Sequence, residues 1–263
     1  MEKEQLNIFL DGNLNQRQES TRLNTQDNIN EQIGLNKKVD KALVMAKVIT
    51  IDGPAASGKT SVSRELAKKL GYGWVSTGAF YRGLGYVALK TGIDLNDELA
   101  LAQLAHSNIW SVQMSDEKTH VFFQGADVTS EISHEDVGSI ASRVSHFPRV
   151  RQALLEGQRL CVKNVEKGLV AEGRDCGTVV FPDADLKVYL TANQENRAER
   201  RAKELGLSKA DMVAAQSVRD QQDSSRKSAP LAVAEDALVV DATFISIEEV
   251  VQQILLKLDS TAN

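Results

Sequence analysis

The chain has 263 residues, 42% of them hydrophobic and 25% charged, with a formal net charge of −5; that length supports one α/β domain with a sizeable core, or a domain carrying an inserted subdomain. An acidic balance gives no support for duplex nucleic-acid binding, which leaves a basic footprint, and no apolar run of about 18 residues or more offers a membrane span. The two cysteines, Cys161 and Cys176, lack metal-ligand spacing and read as free thiols in a reducing cytosol.

Residues 1–45 are rich in Asn and Gln, poor in aromatics and without a sustained apolar period. Such a segment cannot bury enough surface to offset its ordering entropy, so a disordered or dispensable extension is expected. It opens acidic and without an apolar h-region, unlike a secretory leader. Met45 stands just ahead of the first predicted strand, so the extension also reads as an upstream reading-frame addition.

From Lys47 onward, short apolar runs alternate with amphipathic stretches, the pattern of βαβ units around a parallel sheet. Val48–Ile51 is the first predicted strand. It runs into IDGPAASGKTS, residues 51–61, which fits G-x-x-x-x-G-K-[ST] through Gly53, Gly58, Lys59 and Thr60. Gly53 and Gly58 let the backbone approach phosphate oxygens without a Cβ in the way. Amides between them form a concave anion site at a helix N-terminus. Lys59 supplies a cation for the β- and γ-phosphates, and the Thr60 hydroxyl suits Mg²⁺. The candidate ATP contacts are Gly53, Pro54, Ala55, Ala56, Ser57, Gly58, Lys59, Thr60 and Ser61.

Helices are predicted over Lys59–Leu70, ended by Gly71, and over Thr77–Lys90, stopped by Gly92. Trp110–Ile132 breaks the alternation and reads as a small antiparallel insert of two or three strands. Leu169–Glu172 and Leu186–Leu190 are short buried strands. Charged helices follow over Glu195–Leu205 and Lys209–Arg226, then a strand over Leu238–Asp241 and a helix over Ser246–Leu258.

Switches, motors and kinases all carry such a loop. A GTP switch needs N-K-x-D after it, but NKKVD (36–40) precedes it at the wrong spacing, and no apolar run ends in Asp-Glu as in a motor. The chain offers instead arginines in polar settings, suited to a second, anionic substrate. STGAFYR places Thr77 at a helix N-cap and Arg82 one and a half turns on. ASRVSHFPRVR brings Ser142, Arg149 and Arg151, and EGRDCG presents Glu172, Arg174 and Asp175 at a strand's C-terminal end, where open parallel sheets bind ligands. NRAERR gives Arg197, Arg200 and Arg201. RDQQDSSR sets Arg219, Asp223 and Arg226 on one helix face. The four histidines form no metal-binding pattern and read as surface or core residues.

ITIDGPAASGKTS, STGAFYR, FPRVR, GRDCGTVVFPDADLKVYLTA and RDQQDSSRKSAPL, in that order, resemble the bacterial-type cytidylate (CMP/dCMP) kinases, over about Lys47 to Leu258. The resemblance implies a P-loop NTPase fold over residues 46–260: a parallel central sheet flanked by helices, a small antiparallel insert (about 110–132) in the monophosphate-binding region and a short lid (about 193–209). It implies transfer from ATP with Mg²⁺ to CMP or dCMP in a cytoplasmic monomer, with a UMP-preferring or other small-molecule kinase as the alternative. Thr77 and Arg82 resemble acceptor-phosphate residues. Ser142, Arg151 and Asp175 resemble cytosine readers, and Arg219 and Asp223 sugar-side residues. Arg174 and Arg226 resemble ligands near the transfer point, and the arginines at 197–201 lid residues closing over ATP. Lys59, Arg174, Arg201 and Arg226 are the expected catalytic set. Cytosine offers an N4 donor beside N3 and O2 acceptors, so Asp175 can accept from N4 while Arg151 and Ser142 donate; uracil would set a carbonyl against the carboxylate. Three positions depart from the usual pattern: Glu172 for a shorter Asp, Cys176 for an aliphatic residue that thiol reagents could reach, and Thr77 for Ser.

Overall fold

The sheet starts from a strand that only a covered, central position allows. β1 (Lys47–Asp52, KVITID) is buried along its last four residues, so both of its faces are packed, as in a parallel sheet with helices on either side. The computed structural model describes residues 46–115 and 117–261; the extension 1–45 lies outside them. Four strands join β1: β2 (Gly73–Ser76), β6 (Gly168–Gly173), β7 (Leu186–Thr191) and β8 (Leu238–Asp241), all parallel, in the order β2-β6-β1-β7-β8. The register sets Ile51 beside Glu172 and Asp52 between Gly173 and Tyr189. The carboxyl ends of β1, β6 and β7 therefore open at one level.

Helix α1 (Lys59–Leu70) ends at Gly71 in the left-handed conformation, as expected. It packs on Ile49, Ile51, Val170 and Val188 with α8 (Ile247–Thr261), forming the core on one face. On the other face, α2 (Gly78–Thr91), α3 (Glu98–Ala105), α4 (Glu135–Val144) and α5 (Pro148–Leu160) enclose a second core around Val75, Leu84, Leu101, Val144 and Leu154. The insert is a three-stranded antiparallel sheet, β3 (Trp110–Met114), β4 (Thr119–Phe123) and β5 (Ala126–Asp127). Its buried Val121 and Trp110 press on α2 at Gly83. The charged helices α6 (Gln194–Leu205) and α7 (Lys209–Ser225) complete the elements.

Four elements go beyond the sequence reading. β2 (GWVS), at one edge of the sheet, is only four residues long, follows a glycine cap and has polar or glycine ends, so it lacks the apolar run that marks the equally short β8. Helices α4 and α5 lie behind the polar residues of their exposed faces, and α3 is only eight residues, mostly apolar with Leu99 exposed, too short to show a helical period; α5 starts with Pro148 at its first position, a start signal. The helix over 209–226 is one residue shorter than expected: Arg226 leaves it with φ −58° and ψ 132°. Only Arg219 and Asp223 therefore share its face by helical spacing. Among the described residues no helix is long and apolar enough to cross a membrane.

Candidate active site

The loop between β1 and α1 holds a strained course that its glycines permit. Gly53 has φ 151°, and a Cβ there would stand 2.0 Å from the carbonyl oxygen of Leu190 on β7. Gly58 has φ 98°, and a Cβ there would meet only ordinary contacts, so there it is the backbone conformation that demands glycine. Ala55, Ala56, Gly58, Lys59, Thr60 and Ser61 face the cleft; Gly53, Pro54 and Ser57 are buried in its wall. The Lys59 ammonium donates to the Pro54 carbonyl at 2.7 Å. Burial, and then Arg174, push the Lys59 pKa down to about 7.

The cleft is about 450 Å³ and runs from this loop to the N-terminal end of α2 and the face of α4. Thr77, Arg82, Ser142, Arg174, Asp175, Arg201, Arg219, Asp223 and Arg226 all line it, so the structure brings together residues spread over 150 positions of sequence. Arg151 stands just behind, 7% exposed, paired with the Asp175 carboxylate and lying 5.5 Å above the Tyr81 ring. Burial lifts the Asp175 carboxyl, and Arg151 pulls it back down. Arg174 donates to Asp223 at 2.7 Å and to the Gly53 carbonyl at 3.1 Å, linking the loop after β6 to α7 and to the phosphate loop. Arg82 donates to the carbonyls of Ile132 (2.8 Å) and His134 (3.1 Å).

Several side chains act otherwise than the sequence suggested. Thr77 stands at the N-cap position of α2, but its hydroxyl makes no cap; it donates to the Glu172 carbonyl at 2.9 Å and touches Cys176 at 3.5 Å. Arg197 does not line the cleft: it is buried, donating to the carbonyls of Ala192 (3.1 Å) and Ala55 (3.0 Å) and to Asp220 at 2.6 Å, a brace for the phosphate loop. Of its cluster, Arg200 and Arg201 reach the cleft. Arg149 is outside it. Cys176 is fully buried, and that burial pushes its thiol well up, which leaves no thiolate for reagents to find.

Three participants were not singled out. Asp52, at the end of β1, accepts from the amides of Cys176 (2.8 Å) and Gly177 (2.7 Å), and burial nevertheless pushes its carboxyl up to about 6. Tyr81, inside STGAFYR, is an aromatic on a helix with no sequence signal that ties it to Arg151. Glu135 lines the cleft opposite α6 and α7; beside Asp136 in SHEDVG it carries no pattern that flags it.

The site also fits a hard cation of the Mg²⁺ type. The Thr60 hydroxyl donates to Glu172 Oε1 at 2.9 Å, while Glu172 Oε2 is buried without a hydrogen-bond partner. Among the described residues no cluster of three or more His, Cys, Asp or Glu could hold a metal, so such an ion would take most of its oxygens from phosphate and water, the habit of Mg²⁺.

The family model described as cytidylate kinase matches residues 49–260. A Bdellovibrio bacteriovorus protein named cytidylate kinase is 64% identical over 211 residues, covering 80% of this chain and 97% of its own. Proteins of the same name from Aeromonas salmonicida (44% over 216 residues; 80% and 93%) and Azotobacter vinelandii (46% over 215; 79% and 93%) are similar over the same share.

Proposed function

The chain belongs to the cytidylate kinase family, and from that premise we propose how its cleft passes the γ-phosphate of ATP to CMP or dCMP. The protein is an ATP-dependent phosphotransferase that forms CDP and dCDP. One observation carries the assignment of parts: the phosphate loop and Asp175, paired with the buried Arg151, line one arginine-rich cleft.

The triphosphate lies along the loop, its β- and γ-phosphates on Lys59 and the backbone amides that follow Pro54. Thr60, with Glu172 beside it, would hold Mg²⁺, which would supply charge neutralisation on those phosphates. The acceptor phosphate sits on Arg82 near Thr77. The sugar lies toward Arg219 and Asp223. The base meets Asp175, which accepts from N4, with Ser142 and Arg151 donating to N3 and O2. Tyr81 fixes the plane of Arg151 from below.

Phosphoryl transfer asks for in-line placement and charge neutralisation rather than covalent chemistry. Arg174, Arg201 and Arg226, with Lys59, supply that neutralisation. The acceptor is already a phosphate oxygen, so no general base is needed. Arg174 is oriented by both Asp223 and the Gly53 carbonyl, which supports its reading as a phosphate ligand near the transfer point. The enzyme works as a cytoplasmic monomer, and its kinase unit is residues 46–260. The test is an acceptor panel of CMP, dCMP, UMP and AMP with ATP and Mg²⁺. CMP or dCMP is expected to lead in kcat/KM; UMP in the lead would instead establish the uridylate-preferring alternative.

A further inference from the structure

Glu135 is the acidic residue of the cleft that this mechanism leaves without a task. It opens α4 on the monophosphate side, and both carboxylate oxygens reach away from that helix. Oε2 accepts from Arg201 at 2.8 Å, and Oε1 lies 2.6 Å from Arg219 Nη2. Arg201 belongs to α6 and Arg219 to α7, so one carboxylate ties both charged helices to the start of α4. Arg82 adds a third cation. A Cβ on Gly138 would stand 2.8 Å from Arg82 Nη2 and 2.9 Å from Arg219 Nη2, so the two guanidinium groups crowd the same spot over α4. Their mutual repulsion, after burial, is the largest cause that lowers Arg82, to about 10. Three positive charges thus face one carboxylate. The excess of two matches the charge of a phosphate monoester near neutral pH.

We propose that Glu135 stands in for the acceptor nucleotide: in the nucleotide-free enzyme its carboxylate occupies Arg201 beside the phosphate site and Arg219 on the sugar side, and it yields them when the acceptor enters. The proposal rests on the kinase reading above, in which Arg201 serves transfer. Its consequence is an ordering of events. Arg201 is held by Glu135 until an acceptor phosphate displaces the carboxylate, so ATP bound alone lacks one of its neutralising cations. Glu135 is thereby a positioning residue, acting on the reaction through the arginines it holds, and it guards ATP against transfer to water.

The test is Glu135→Gln, which keeps the shape and removes the charge. Two readouts are taken on the full-length enzyme: the calorimetric Kd for CMP, and ATP hydrolysis without CMP. With the competing anion gone, CMP should bind about fivefold tighter or more, and hydrolysis without CMP should rise by a similar factor. A merely structural tether predicts the opposite, since loosened arginines would bind CMP more weakly. Unchanged or weaker CMP binding overturns the proposal, and so does unchanged hydrolysis. Should Glu135→Gln fail to fold, Glu135→Asp shortens the bridge by one methylene and should move both readouts the same way by a smaller factor; no movement in either overturns the proposal. Wild-type turnover with CMP separates the two levels: its absence sinks the kinase reading, whereas normal turnover with unmoved readouts sinks only the role of Glu135.

Discussion

Lys59 holds its proton more weakly in the nucleotide-free enzyme than in water, and a triphosphate should reverse that. Burial, then the charge of Arg174, bring it from 10.5 to about 7, while Glu172 and Asp52 work in the other direction. At pH 8 about nine in ten Lys59 side chains are therefore neutral. A triphosphate within hydrogen-bonding distance favours the charged form, so binding at that pH takes up about 0.9 proton. The sign follows from the direction of the shift: the free-state pKa lies below the bound one. Affinity is fully present below about pH 7 and falls about tenfold per unit as pH rises from there toward the bound value. The assay is calorimetric titration with a non-hydrolysable ATP analogue at pH 8, in buffers of different ionisation enthalpy. At that pH the nucleotide's terminal phosphate has already lost its proton, so uptake reports the protein. Heats that do not depend on the buffer would refute the reasoning, and so would an uptake that survives in Lys59→Met.

Asp175→Asn should act twice. It leaves Arg151, 7% exposed, without its counter-ion, a loss of about 3 kcal/mol read from denaturant unfolding, and it should cut the CMP/UMP ratio of kcat/KM about tenfold or more; an unchanged ratio would remove Asp175 from base recognition. Shortening the chain to start at Met45 should leave the melting temperature and kcat/KM near those of the full chain, because the family match begins only at residue 49. A large loss in either would make residues 1–44 part of the working enzyme.

The residues that bind phosphate were the legible ones. Gly53, Gly58, Lys59 and Thr60 are adjacent in sequence because a loop and one helix start suffice to cradle phosphate, and local chemistry needs a local pattern. The alternation that gave β1, β6, β7, β8 and the helices α1, α2, α6, α7 and α8 is likewise a property of single segments. What escaped depends on the fold. β2 earns its place by pairing with β6, through Trp74 beside Val170, and GWVS lacks the apolar run that made the equally short β8 readable. Arg197 and Arg200 are three apart in one helix, yet one clamps the Ala55 carbonyl and the other lines the cleft, a difference set by what α7 and the phosphate loop present to them. Glu135 becomes meaningful only once α6 and α7 lie opposite it.

The pairing of charges in the cleft gives a rule for which cations meet substrate. Arg151 has Asp175, Arg174 has Asp223, Arg197 has Asp220, and Arg201 and Arg219 share Glu135. Such pairing offsets the repulsion of assembling many cations before any nucleotide arrives. Among the described ion pairs of arginine, that of Arg226 is the loosest: its Nη2 is 3.9 Å from Asp223 Oδ1, is buried and makes no hydrogen bond to another residue, and its other contacts are the Ser145 hydroxyl and the Asp223 carbonyl, both at 3.3 Å. A buried, under-satisfied guanidinium raises the energy of the free enzyme and is relieved by an anion. Arg226→Ala should therefore cost little stability while lowering kcat by about a hundredfold or more, the scale of losing one preorganised transition-state donor. Arg197→Ala should do the reverse. It strips Asp220 and the Ala55 carbonyl of a partner, costing about 2 to 4 kcal/mol in unfolding experiments, and its kinetic loss should appear first in the KM for ATP, because the phosphate loop loses its brace. If both variants instead lose stability and kcat in the same proportion, charge pairing in the free enzyme does not sort binding arginines from structural ones, and the rule fails.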